Sequence, residues 1–326
     1  MKRLAPQKAW LFLFLIPIVL PCDVMSQSLP KADPAGEYAI RTNVDLVVLH
    51  ATVRDHNGTP VSGLGKENFQ VYEDNVPQVI ESFSHEDLPV TVGLVIDSSG
   101  SMRPKRGNVV AAAMAFVRSS NPADQIFVVN FNERVSLGLP GNIPFTNNPA
   151  ELETALSRHA ITGMTALYDA ITVGIEQLQR GKWDKKVLIV ISDGGDNASR
   201  RNLSQVLSLV NQSSALIYTI GIFDENDEDR NPRILKQLSR ASGGEAFFPR
   251  DLQEILPICE QIAHDIRNQY TITFAPTNKK QDGAYRKIDV KAHELARGGR
   301  LSVSTRAGYS ASSQFHTSEN LSGNTP

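Results

Sequence analysis

Side chains that carry hydroxyl or carboxylate groups are concentrated in three short stretches of the sequence, which read DSSGSM, TGMTALYDA and VISDGGD. Their candidate ligands are Asp97, Ser99, Ser101, Thr165 and Asp193. Such hard oxygen donors suit Mg²⁺, with Mn²⁺ or Ca²⁺ as substitutes, whereas zinc and copper favour nitrogen and sulfur. The set therefore predicts a site for a hard divalent cation, provided that the fold brings the three stretches together.

Each stretch taken alone has a simpler explanation, because Asp, Ser and Thr routinely cap helices and stabilise turns. The metal hypothesis depends on all three stretches meeting at one place. Asp196, just beyond Asp193, is interpreted as a helix cap or turn residue, with a role in holding the loop as the alternative.

The elements that must position these residues lie between about residues 88 and 268. Here the apolar runs TVGLVI, QIFVVNF, KVLIVI, ALIYTIGIF and GEAFFP alternate with amphipathic helical patterns. Nearly continuous apolar runs are typical of strands covered on both faces, and strand–helix alternation predicts a mostly parallel sheet. We expect an α/β, Rossmann-like, doubly wound domain over 88–268. Ligands of such sheets bind at the carboxyl ends of the strands, where the three stretches are placed.

Two β-rich segments flank this region, at 41–87 and 269–310. Each is too small to be stable as an isolated sheet. We therefore expect the two segments to pair into one smaller, Ig-like β-sandwich, with the α/β domain inserted between them. The polar residues 311–326 are predicted to be disordered.

Residues 1–26 have the pattern of a secretory signal peptide, with basic residues before the apolar run Trp10–Leu20 and cleavage expected after Ser26. An uncleaved anchor fits less well, since a membrane span needs roughly 20 apolar residues. Lipid modification of Cys22 also fits poorly, because Pro21 precedes it. We expect a protein exported to the periplasm or secreted, with no membrane span after cleavage.

The bulk composition narrows the possible partners. The net charge is −2, and no long run of Lys or Arg occurs, so we expect no nucleic-acid partner. Cys259 lies on an apolar helical stripe and is predicted to be a buried thiol. The acidic run Asp224–Asp229 lacks the glycine and the terminal glutamate of an EF-hand loop and is interpreted as a solvated loop, with a place beside the metal as the alternative.

The three stretches, in this order within a strand–helix alternation, resemble the metal-ion-dependent adhesion site (MIDAS) of von Willebrand factor A domains. The segments VRDHNGTPVSGLGKENFQVYEDNVPQVIESF and GAYRKIDVKAHELARGGRLSVSTRAGY resemble the VWFA-related proteins found notably in acidobacteria. The resemblance implies that Ser99, Ser101 and Thr165 bind the metal through their hydroxyls. It also implies that Asp97 and Asp193 bind it mainly through water molecules.

The resemblance implies a binding function. A Mg²⁺ ion with few charged ligands in direct contact keeps a net positive charge, and it coordinates six oxygens. An Asp or Glu carboxylate of a protein ligand can then fill its open position. We therefore expect an exported adhesion or binding protein rather than an enzyme.

Two alternatives stay open at this point. One is a metal-assisted phosphoester hydrolase in which Asp97 is the nucleophile or Asp193 the base. It lacks a second acid two positions after Asp97, where Ser99 stands. It also needs cations to neutralise the phosphoryl group, and the candidates are Arg103, Lys105 and Arg106. In a binding protein, the same residues would instead attract an acidic ligand. The other alternative is a scaffold in which the metal is only structural.

Overall fold

The computed structural model describes residues 46–158, 160–223, 230–293 and 301–311. The predicted signal peptide, the acidic run Asp224–Asp229 and the tail beyond Ala311 lie outside the described residues. Within them, the strands form one six-stranded sheet and two four-stranded sheets. None of the helices in this part of the chain is long and apolar enough to cross a membrane.

The described strands and helices are numbered separately in chain order. The strands are β1 (Val47–Arg54), β2 (Phe69–Glu73), β3 (Val76–Gln78), β4 (Ile80–Ser84), β5 (Thr91–Asp97), β6 (Gln125–Phe131), β7 (Val135–Leu137), β8 (Lys186–Ser192), β9 (Leu216–Gly221), β10 (Ala246–Phe247), β11 (Tyr270–Phe274), β12 (Tyr285–Ala292), β13 (Ser302–Ser304) and β14 (Gly308–Ser310). The helices are α1 (Arg106–Ser119), α2 (Pro149–Ser157), α3 (Leu167–Leu178), α4 (Leu203–Gln212), α5 (Pro232–Ser242) and α6 (Ile255–Arg267).

The central sheet has the strand order β10-β9-β8-β5-β6-β7. Its strands are parallel except for β7, which pairs antiparallel with β6. Every residue of β5 and β8 is buried, as their continuous apolar runs predict. The expected mostly parallel α/β architecture is therefore confirmed. No separate sequence pattern predicts β7, which has only three residues and exposes two of them.

The two antiparallel sheets have the orders β13-β1-β11-β4 and β14-β12-β2-β3. Leu49 of β1 pairs with Ile272 of β11, and Val71 of β2 pairs with Val290 of β12. Buried apolar side chains of both sheets form one hydrophobic cluster. Strands from the two flanking β segments therefore pair in both sheets, and the physical cause is that neither segment can bury its apolar face alone.

The α/β region and the β-sandwich are joined by a buried polar contact next to the chain connection. Helix α6 is followed directly by β11. The guanidinium of Arg54 on β1 donates to the carboxylate of Asp265 on α6 at 2.5 Å, and Asp265 is buried. Cys259, also on α6, is a buried free thiol, as predicted.

Candidate metal centre

Asp97 is the last residue of β5, and its side chain is fully buried. One carboxylate oxygen, Oδ1, accepts a hydrogen bond from the backbone amide of Ser99 at 2.8 Å. The other, Oδ2, accepts one from the hydroxyl of Ser192 at 2.6 Å. Ser192 is the last residue of β8, the strand that pairs with β5. The carboxylate is therefore fixed both by its own loop and by the neighbouring strand.

Ser101 connects the first stretch to the third. Its hydroxyl donates to Asp193 Oδ2 at 2.6 Å and lies 3.1 Å from the hydroxyl of Ser99. The other oxygen of Asp193, Oδ1, accepts from the backbone amide of Gly195 at 3.1 Å. These contacts bring four of the predicted ligands, Asp97 included, into one cluster at the carboxyl ends of β5 and β8.

Thr165 lies in a loop that hydrogen-bonds to the first stretch and to the residue that follows the third stretch. The carbonyl of Gly163 accepts from the amide of Gly100 at 3.2 Å. The backbone amide of Thr165 donates to the side chain of Asn197 at 2.8 Å, and the amide of Asn197 donates back to the Thr165 carbonyl at 3.0 Å. Thr165 is therefore buried between the loop after β5 and the loop after β8.

Asp196 caps a helix from a neighbouring loop, which agrees with its interpretation as a cap residue. Helix α3 has no side-chain cap on the residue that precedes it. Instead, Asp196 Oδ2 accepts from the backbone amide of Tyr168 at 2.9 Å, and the hydroxyl of Ser199 accepts from that of Asp169 at 3.1 Å. Capping from this loop fixes the start of α3, and with it the adjacent Thr165.

The electrostatics of the cluster favour a cation. Burial, and after it the negative charge of Asp193, raise the pKa of the Asp97 carboxyl to about 6, although the hydrogen bonds from Ser192 and Ser99 oppose this rise. Within the described part of the chain, no Lys or Arg lies within ion-pair distance of Asp97 or Asp193. Two adjacent buried carboxylates that form no ion pair with these residues, together with the hydroxyls of Ser99 and Ser101, fit a hard divalent ion.

The described residues offer no further metal site built from a cluster of His, Cys, Asp and Glu side chains. They contain no group of three or more His, Cys, Asp or Glu side chains that could hold an ion. The candidate centre differs from such a group because it has only two carboxylates, and hydroxyls make up the rest of its predicted donor set.

The basic residues that follow the first stretch each donate hydrogen bonds to other described residues, and none of them forms an ion pair with Asp97 or Asp193. Lys105 is buried and donates to a main-chain carbonyl just after β9 at 3.1 Å, so the expectation that it attracts an acidic ligand is wrong. Arg106 donates to the hydroxyl of Ser98 at 3.1 Å. Arg103 is exposed and donates to the carbonyl of Ile161 at 2.9 Å. These contacts weaken the hydrolase hypothesis, which needs free cations beside the metal.

Sequence reasoning missed two residues that hold the cluster together, Ser192 and Asn197. Ser192 is a polar residue at the end of an otherwise apolar strand, directly before Asp193, and that position was the available signal. Asn197 gave none, because an Asn in a polar loop is ordinary.

Residues 92–195 match the family model of the von Willebrand factor type A domain. The chain carries a von Willebrand factor A (VWA) domain. The matched range contains all five predicted ligand residues. VWA domains mediate protein–protein interactions and can bind a divalent metal ion at the MIDAS motif.

Three known proteins illustrate the likeness. The uncharacterized protein sll0103 of Synechocystis sp. is 25% identical over 56% of this chain and 42% of its own length, so the match spans less than half of that relative. A von Willebrand factor type A structure from Catenulispora acidiphila is 14% identical, covers 83% of this chain and 74% of its own, and has a TM-score of 0.50. That likeness shows the VWA fold.

The third is proximal thread matrix protein 1 from the mussel byssus, in a structure with a zinc-occupied MIDAS motif. It is 16% identical, covers 58% of this chain and 48% of its own, and has a TM-score of 0.48.

Proposed function

We propose that this protein is an exported binding protein whose VWA domain holds one divalent cation and captures an acidic residue of a protein ligand. The proposed donors are the hydroxyls of Ser99, Ser101 and Thr165 and the carboxylates of Asp97 and Asp193. The proposed ion is Mg²⁺, with Mn²⁺ or Ca²⁺ as substitutes, since all the donors are hard oxygens.

The observation that carries this proposal is the hydrogen bond between Ser101 and Asp193, 2.6 Å long. It joins a hydroxyl and a carboxylate from two different stretches, next to a second carboxylate that is fully buried. None of the described Lys or Arg side chains forms an ion pair with either carboxylate. A buried carboxylate pair of this kind is unfavourable, because each desolvated charge needs compensation. A bound divalent ion supplies that compensation.

The residues around the centre orient the donors. Ser192 and the amide of Ser99 hold the Asp97 carboxylate, and the amide of Gly195 holds that of Asp193. The bound ion would supply a positive charge and a coordination position for a carboxylate oxygen of the protein ligand. The arrangement needs no nucleophile or general base, which favours binding over hydrolysis. Export rests on the predicted signal peptide.

Isothermal titration of the purified protein with MgCl₂ tests the metal centre. We expect one Mg²⁺ per chain, and loss of binding in Asp97→Asn, which keeps the size of the side chain but removes its charge. Asp289→Asn is the matched control, since it removes an exposed carboxylate from the β-sandwich. Equal Mg²⁺ affinity in Asp97→Asn and in the control would show that Asp97 is not part of a Mg²⁺ site.

A further inference from the structure

Helix α5 presents three basic side chains on one exposed face. Arg233, Lys236 and Arg240 are all exposed, and their spacing of three and four residues places them on the same side of the helix. Leu235 and Leu238 of the same helix are buried against the domain core. We call the three cations the α5 basic face.

The cations of the α5 basic face are not neutralised by the described residues. None of the described Asp or Glu side chains lies within ion-pair distance of them. The whole chain has more acidic than basic residues, 35 against 33, so this local excess does not follow from its composition. Three like charges on one helix face repel one another, and an anionic partner relieves that repulsion.

The α5 basic face borders a groove of about 420 Å³, lined by Arg233, Lys236, Gln237, Arg240, Ala241 and Ala307. The ammonium of Lys236 lies 5.2 Å from the ring centroid of Phe248, which itself stacks on Phe223 at 5.6 Å. The face of an aromatic ring attracts a cation, which keeps its positive charge in this contact. This contact therefore favours one position for the Lys236 ammonium beside the groove.

The α5 basic face starts beside the candidate metal centre. The backbone amide of Asn231, one residue before α5, donates to the carbonyl of Asp193 at 3.1 Å. Arg233 lies in the first turn of the helix and Arg240 in its last. With a rise of about 1.5 Å per residue, the face extends roughly 10 Å along the helix.

We propose that the α5 basic face binds an extended acidic segment of the same protein ligand whose carboxylate reaches the metal. This inference rests on the proposed function and adds to it the chemistry of the ligand: an acidic residue for the metal, followed by further Asp or Glu residues. In an extended segment, alternate residues point to one side and are about 7 Å apart. Two or three alternating acidic residues therefore match the length of the face.

The probe is a fluorescein-labelled peptide of about ten residues with alternating Glu and Ser, compared with the same peptide carrying Gln in place of Glu. Fluorescence anisotropy at low ionic strength measures its affinity, in MgCl₂ and again in EDTA. We expect the triple variant R233S/K236S/R240S to bind the Glu peptide about tenfold more weakly, since each exposed ion pair contributes modestly. Its Mg²⁺ affinity by titration should stay unchanged, which also shows that it has folded.

The matched control is R118S/R180S/K279S, which removes the same number of positive charges from scattered exposed positions. Its affinity for the peptide should fall by no more than about twofold, because only the long-range attraction changes. Equal weakening in the two triple variants would overturn the proposal.

Two further outcomes would also overturn it. One is that the Glu peptide binds only after the acidic run Asp224–Asp229 is replaced by neutral residues. The ligand of the α5 basic face would then be the chain's own acidic run. The other is that a sulfated polysaccharide binds through the face while the Glu peptide does not. Failure of the metal proposal looks different: EDTA then leaves the affinity for the peptide unchanged while R233S/K236S/R240S still weakens it.

Discussion

The hydroxyl of Ser101 donates a 2.6 Å hydrogen bond to the carboxylate of Asp193, across a sequence separation of 92 residues. The same hydroxyl lies 3.1 Å from that of Ser99. Ser101 therefore connects the loop after β5 to the loop after β8, and one of its lone pairs stays available for a further partner. It is both a proposed ligand and a link between two others.

Ser101→Ala should weaken Mg²⁺ binding by at least about tenfold, because it removes one donor and releases the Asp193 carboxylate. Isothermal titration measures the effect. Ser204→Ala, at an exposed position of α4, is the control and should leave the affinity unchanged. Wild-type affinity in Ser101→Ala would contradict the proposed donor set.

Ser192 is a positioning residue, since its hydroxyl holds Asp97 Oδ2 at 2.6 Å and accepts from the amide of Gly194 at 3.1 Å. Ser192→Ala should lower Mg²⁺ affinity by roughly 10- to 100-fold while one ion still binds per chain. Ser192→Thr restores the hydroxyl and should recover most of the affinity. A loss that Thr fails to recover would indicate a packing role instead.

The sequence was sufficient to predict those elements and site residues for which one physical signal dominates. The fully buried strands β5 and β8 appear as unbroken apolar runs, and their carboxyl ends locate Asp97 and Asp193. Thr165 was expected to join them from its place before a helix, and the structure puts it between their loops. Its role as a ligand stays a prediction.

The sequence was insufficient to predict the direction of side chains that depends on tertiary contacts. A lysine in a polar loop is expected at the surface. Lys105, however, ends the 3₁₀ segment Gly100–Lys105, and its ammonium points inward to a main-chain carbonyl. The α5 basic face was also not foreseen. Its charges become a surface feature only once Leu235 and Leu238 fix the rotation of the helix against the core.

Gly194 should be more sensitive to substitution than an otherwise similar glycine. Both Gly194 and Gly58 have left-handed backbones, with φ of +80° and +81°. A Cβ at Gly194 would lie 2.6 Å from the carbonyl oxygen of Asn231, whereas a Cβ at Gly58 would meet nothing within 4 Å. Both Ala variants carry the backbone strain of about 1–2 kcal/mol, and Gly194→Ala should lose about 1–3 kcal/mol more of its free energy of unfolding.

Urea denaturation of the two variants measures the difference. Gly194→Ala should also lose Mg²⁺ affinity, because the clash displaces the residue next to Asp193, while Gly58→Ala should keep it. Equal destabilisation of the two variants would show that the contact with Asn231 relaxes without cost.

His50 on β1 should make the stability of the fold depend on pH. Burial lowers the pKa of its imidazole to about 3, and the positive charges of Lys185 and Arg306 act in the same direction. The unfolded chain has the ordinary value of 6.5. Between these two values the unfolded state binds a proton that the folded state does not, so the contribution of neutral His50 to stability is complete above about pH 6.5 and falls as the pH decreases towards 3.

Urea denaturation of the wild type, His50→Gln and His50→Leu at several pH values separates the effect of this residue from the effects of the other titrating groups. The difference in free energy of unfolding between wild type and either variant should shrink as the pH is lowered from about 7 to about 4. The two variants differ in polarity, and neither titrates, so they should share this pH dependence even if their stabilities at neutral pH differ. A difference that stays constant over this range would mean that the folded state protonates His50 as readily as the unfolded chain does.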